Sequence, residues 1–162
     1  FSSSFSPSDK VTKALLNQIF SQRPIAKHFC IPWLSSDPKT FTLDLNGLLV
    51  MVFEKAEIFG YKNLELIKSV DRATTDPTFK NPYESCMRGY QLSNKALHEA
   101  KGFASTNMYV LSYKAAFKAF DSIDTCESLL EGLTMPGNIA TRNLWYERMC
   151  NIGMVFSELL DF

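Results

Sequence analysis

Apolar residues recur along this chain at intervals of three and four, the spacing that lines one face of an α-helix. A first short helix is expected from about Ser8, a candidate N-cap, to Phe20, before Arg23-Pro24 breaks the pattern. A second, over 24–35, carries Phe29, Cys30 and Trp33 and should be interrupted at Pro32. Together they read as an N-terminal hairpin. Asp37-Pro38 then supplies an N-cap followed by proline at the first helical position, opening a long helix through Phe41, Leu45, Leu48, Val52 and Ala56 toward Asp71, weakened at Gly60. Asp76-Pro77 repeats the device. The seam that follows is Phe79, Tyr83, Cys86, Tyr90, Ser93, Leu97 and Ala100, with Gly102 as the expected stop. A third long helix, Thr106 to Leu130, has Ser112, Ala116, Ala119, Ile123, Cys126 and Leu130 in register. After a loop at Gly132 and Pro136-Gly137, a last helix from Ile139 to Leu160 repeats the spacing with Trp145, Met149, Ile152, Phe156 and Leu159. Strand signals are weak, with short alternating runs and no Asn-Gly between apolar segments.

Four long amphipathic helices joined by short loops predict an all-α protein: an antiparallel four-helix bundle over 37–162, preceded by a tail and helical hairpin over 1–36. Cys86 and Cys126 lie on the seams of consecutive helices. If both seams face one core, the two sulfurs can meet as a disulfide; otherwise they are two buried thiols.

Composition narrows the function. Hydrophobic residues make up 46% of the 162 positions, far above a disordered chain, and 13 are phenylalanine. Formal net charge is zero and the basic residues are scattered, which argues against nucleic-acid and anionic-membrane partners. No apolar run approaches the roughly 20 residues that span a bilayer. The start at Phe1, ahead of Ser2–Ser4, reads as processed. Four cysteines without a Cys-x-x-Cys pair fit an oxidising compartment better than a zinc site. There is no Asn-x-Ser/Thr sequon.

Catalytic chemistry is not evident. His28 and His98 lie in no acid–base or nucleophile motif, and Lys95 occupies the position three residues before His98, so the Glu-x-x-His pair of carboxylate-bridged metal bundles is absent. No phosphate-binding glycine loop or nucleophile elbow occurs. Asp121, Asp124 and Glu127 read as a solvated helix face. No cofactor or metal site is expected, and a protein-binding role is favoured over an enzyme.

Four segments, in order and at matching spacing, resemble the plant invertase and pectin methylesterase inhibitors: "SSDPKTFTLDLNGL" from Ser35, "DPTFKNPYESCMRGY" from Asp76, "AAFKAFDSIDTCESLLEG" from Ala115 and "CNIGMVFSELL" from Cys150. The resemblance runs from about Ser21 to Phe162. It implies a secreted four-helix bundle of the cell wall or vacuole that inhibits a carbohydrate-active enzyme in a one-to-one complex. It also implies that Cys86–Cys126 is the family's inter-helix bridge. Two departures stand out. The family's hairpin disulfide joins cysteines nine positions apart; Cys30 matches the second, but Ser21 stands at the first, so Cys30 has no family partner and Cys150 is extra. They are expected to be free, with a Cys30–Cys150 bridge or an intermolecular Cys30 pair as alternatives, and the hairpin is expected to be the looser part. Second, the Pro-Lys-Phe tripeptide common in invertase inhibitors is replaced by Tyr109, Val110 and Leu111, and the acidic face of many esterase inhibitors by Arg88, Leu92 and Lys95. "YESC", "HEAKGF" and "CNIGMVFSELL" tilt the resemblance toward the pectin methylesterase inhibitors. The expected mechanism is steric occlusion of the substrate cleft by the exposed faces of the second and third bundle helices, through Arg88, Gln91, Lys95, Tyr109, Tyr113, Lys114 and Thr125. Acid invertase is the alternative target, and a non-inhibitory storage or ligand-binding role a further alternative.

Overall fold

The computed structural model describes residues 5–133 and 138–161, without the side chain of Ile25. Six α-helices follow in order: α1 Lys13–Phe20, α2 Pro24–Ser35, α3 Leu45–Ala73, α4 Lys80–Ser105, α5 Tyr109–Leu130 and α6 Ile139–Leu160. The expected Pro136-Gly137 loop and the Ser2–Ser4 start lie outside the described residues. The last four helices form the bundle, each packed on the next, with α3 closing the ring against α6. The hairpin α1–α2 lies on this bundle through α2 and α6.

The helix bodies match the sequence pattern; several starts and stops do not. The first helix is capped by Thr12, whose side chain accepts from the Leu15 N–H at 3.0 Å, not by Ser8. The cause is upstream pairing. Val11 N–H donates to Leu43 O at 3.0 Å and Leu45 N–H to Asp9 O at 2.9 Å, so the backbone around Lys10 is committed to an antiparallel bridge with Asp44. Helix α2 runs on through Pro32, anchored by buried Cys30 and Leu34. Asp37-Pro38 opens only a 3₁₀ turn, Pro38–Thr42; the long helix starts at Leu45, where the Asp44 carboxylate accepts from the Gly47 N–H at 2.8 Å. Asp76-Pro77 likewise begins a 3₁₀ turn, Pro77–Phe79, and α4 follows from Lys80.

Gly102 does not end α4. It faces open space, and the helix continues to Ser105. The stop is Asn107, at φ 60°, with Met108 N–H donating to Phe103 O at 2.9 Å and Asn107 N–H to Ala104 O at 3.1 Å. These two bonds satisfy the orphan carbonyls of the last turn in the Schellman arrangement, with asparagine where glycine is commoner. The next helix therefore starts at Tyr109 instead of Thr106.

The core contains the expected seams of α3, α4 and α5, including Leu48, Val52, Tyr83, Tyr90, Leu97, Ala116 and Ile123. In α6 Met149, Ile152 and Phe156 are buried as expected, and only the ends of the seam move by one: Trp145 is 41% exposed and lies against Phe59 while Tyr146 is fully buried, and Leu160 is buried in place of Leu159. Gly60 makes the burial of Tyr146 possible. A β-carbon there would meet Asn94 Oδ1 at 1.9 Å and a Tyr146 ring carbon at 2.6 Å, so the glycine that weakens α3 by propensity lets α4 and α6 approach it. The buried Tyr90 and Tyr146 hydroxyls are satisfied across helices. Tyr146 donates to Asn94 Oδ1 at 3.1 Å, Tyr90 donates to Asn143 Oδ1, and Asn63 donates to the Tyr90 oxygen at 3.0 Å.

Candidate functional site: the α4–α5 face

Helices α4 and α5 meet through small residues and one covalent bond. Cys86 and Cys126 form a disulfide with their Cα atoms 4.5 Å apart. One turn along, a β-carbon on Gly89 would lie 2.8 Å from Ser122 O, so the two backbones are close enough to exclude a side chain. A further turn along, Ser93 donates from its hydroxyl to Ala119 O. At the far end, the Tyr109 hydroxyl lies 2.7 Å from Asn46 Oδ1 and 3.0 Å from Asn107 Oδ1, tying the α4–α5 turn to the start of α3. The pair is fixed at both ends and along its length, so side chains on its outer side keep their spacing.

That outer side carries most of the predicted contact residues. Arg88, Gln91 and Lys95 are exposed on α4; Lys114 and Thr125 are exposed on α5; Tyr113 is half-buried. Tyr109 does not belong with them. It is only 7% exposed, and burial, with the nearby Asp44 charge, raises the pKa of its phenol. The sequence reading placed Leu92 on this face without counting it as a contact, and it left out Phe117. Leu92 and Phe117 are 53% and 49% exposed, side by side with the basic residues in helix register. Phe117 lies one position off the core seam at Ala116, and an apolar residue there gives no cue of its own that it points outward.

The other two cysteines are free and buried, with no bridge between them. Burial pushes both thiols well above their usual range, as desolvation disfavours the thiolate. The acidic residues of α5 do not form one solvated face either. Asp121 and Asp124 are exposed, but Glu127 is half-buried and meets Glu147 of α6. Oxygens of Asp124, Glu127 and Glu147 all lie within 4.8 Å of one another. Burial, reinforced by Glu127, pushes Glu147 up to about 8. His98 is exposed, its Nδ1 3.2 Å from the buried Glu57 carboxylate, which Lys101 also approaches at 3.6 Å. This is a surface histidine beside an ion pair with no nucleophile among its contacts. Among the described residues, no helix is long and apolar enough to cross a membrane.

The fold and this face define a class: helical bundles clamped by an inter-helix disulfide and carrying an N-terminal helical hairpin. A pectinesterase inhibitor from Actinidia deliciosa is 32% identical over 158 residues, covering 95% of this chain and 83% of the relative. The chain belongs to the pectinesterase inhibitor family. A protein of Platanus acerifolia carrying the provisional name of an invertase inhibitor is 27% identical over 135 residues, 82% of this chain and 74% of that one. The crystal structure of a mutant form of an Arabidopsis pectin methylesterase inhibitor superposes with a TM-score of 0.78 at 21% identity, covering 84% of this chain and 91% of the other, and shares the fold. No family model matches the chain. The relatives are named as inhibitors, not as enzymes.

Proposed function

We propose that this protein is a secreted inhibitor of a plant pectin methylesterase, binding the enzyme one-to-one and covering its substrate cleft with the α4–α5 face. The observation that carries the reading is the 32% identity to a pectinesterase inhibitor along 95% of the chain. The inhibitory unit is the bundle, 37–162, with the segment 1–36 as its appended hairpin. Arg88, Gln91, Lys95, Tyr113, Lys114 and Thr125 are the contact residues, joined by Leu92 and Phe117. A face that mixes exposed apolar side chains with polar and basic ones fits the composition of protein interfaces, which in standard complexes bury about 1,600 Å² in total. The working location is the cell wall or the vacuole, where oxidising conditions keep Cys86–Cys126 formed.

The test is a titrated pectin demethylation assay. Activity of a plant esterase should fall linearly to a break at one inhibitor per enzyme. Full activity at micromolar excess against several isoforms would rule the reading out. Acid invertase is the second target, favoured by the likeness to the Platanus protein and disfavoured by Tyr109, Val110 and Leu111 in place of Pro-Lys-Phe. Sucrose hydrolysis under the same titration separates the two.

A further inference from the structure

We propose that Asp124, Glu127 and Glu147 form a binding site for one hard divalent cation of calcium's class, which ties α5 to α6. The three carboxylates come from two helices: α5 contributes Asp124 and Glu127 one turn apart on the same side, and α6 contributes Glu147 opposite them. No pair of the candidate oxygens is separated by more than 4.8 Å. Two oxygens on opposite sides of a calcium ion, each at about 2.3–2.6 Å, stand up to about 5 Å apart, so the cluster already has the span of one coordination sphere.

A second observation makes this more than a group of acids. Glu147 is 8% exposed; its carboxyl shares a hydrogen bond with Glu127, and its Oε1 has no partner. A buried acceptor without a donor is costly, and a cation seated among the three oxygens would satisfy it by taking the place of the proton that Glu127 and Glu147 share, which leaves to solvent. The protein supplies no cation of its own: among the described residues, no lysine, arginine or histidine forms an ion pair with any of the three. Asn143, beside the cluster, is already occupied, since its Oδ1 accepts from Tyr90 and its Nδ2 lies 3.4 Å from the Cys126 sulfur. The site opens on a groove lined by Asp124, Glu127, Leu130, Leu133 and Leu144, which gives an ion a path from solvent and leaves room for its waters. An all-oxygen donor set selects hard cations such as calcium and manganese over zinc or copper. Magnesium, with shorter bonds and strict octahedral demands, fits this span less well.

The experiment uses the whole chain after chelator treatment. Calcium and, separately, manganese are titrated near neutral pH by calorimetry, with bound manganese also read by electron paramagnetic resonance. The expected result is one ion per chain, with a rise in melting temperature on calcium addition. Glu147→Gln should weaken binding at least tenfold and abolish the rise. Asp124→Asn, at an exposed position that the fold does not depend on, should weaken binding several-fold without moving the metal-free melting temperature. It therefore keeps the test valid if Glu147→Gln fails to fold. Absence of binding at millimolar calcium or manganese overturns the proposal. So does binding that Asp124→Asn leaves unchanged, which would mark diffuse attraction to surface acids.

Discussion

Single residues decide how this bundle closes. Cys86 and Cys126 were legible because each falls on a three-four seam, and two seams that share a core bring their cysteines together. Their sequence separation of 40 gives the bridge a loop-closure contribution of about 4 kcal/mol, so Cys86→Ala with Cys126→Ala should lower unfolding stability by about that much in urea titration. Cys30 and Cys150 should behave differently. Both are buried with raised pKa values, so thiol reagent should find neither in the native protein and two per chain after denaturation without reductant. Gly60 was read only through its poor helix propensity, worth about 1 kcal/mol. The structure sets that against a steric overlap with Asn94 and Tyr146, for which overpacking costs of about 1–3 kcal/mol apply. Gly60→Ala is therefore expected to destabilise despite the better helix former, by a net of up to about 2 kcal/mol in chemical denaturation. A gain in stability would mean that the three helices are further apart than described.

At the scale of elements, the helix bodies were readable and their ends were not. Periodicity reports which residues share a face over several turns, whereas a boundary depends on one or two local bonds. Asp37-Pro38 has the residues of a helix start, but Thr40 donates from its hydroxyl to Leu34 O at 2.6 Å and holds the segment to the end of α2, so only a 3₁₀ turn forms. Asn107 was passed over in favour of Gly102 because glycine is the commoner left-handed stop. Trp145 was placed inside because its spacing matches the seam of α6, but Tyr146 fills the room that Gly60 leaves. Asp37 gives a prediction at this level. Its carboxylate is held below its usual range by Lys55, 2.8 Å away, and by the Lys39 N–H. A group with a lowered folded-state pKa stabilises above its unfolded range and loses that contribution as pH falls through the lowered value. Asp37→Asn should therefore reduce stability slightly at neutral pH and flatten the acid limb of a melting-temperature profile, with little difference from the parent at the acid extreme.

For the molecule as a whole, the bundle and its family could be read from the chain, because four amphipathic repeats and ordered motifs carry that information together. The working surface could be read only in part. Arg88, Gln91, Leu92, Lys95, Lys114 and Thr125 do face solvent, yet Tyr109 is spent on holding the α4–α5 turn, and Phe117 emerges only once the helices are packed. Leu92→Asp is expected to weaken esterase inhibition at least tenfold, about 1.4 kcal/mol, without changing the melting temperature. An unchanged inhibition constant would move the contact surface elsewhere. The short antiparallel bridge between Lys10 and Asp44 has a consequence of its own. By joining Asp9 and Val11 to Leu43 and Leu45, it encircles the hairpin in a loop shut by hydrogen bonds and by the buried Val11 and Leu45 side chains, with no covalent bond, and with Ser21 opposite Cys30 no disulfide closes the hairpin inside it. The molecule thus has two closures of opposite chemistry. A reductant that opens Cys86–Cys126 leaves the hairpin clasp intact, and in hydrogen exchange the Val11 and Leu45 amides should stay protected after reduction while the α4–α5 pair loosens.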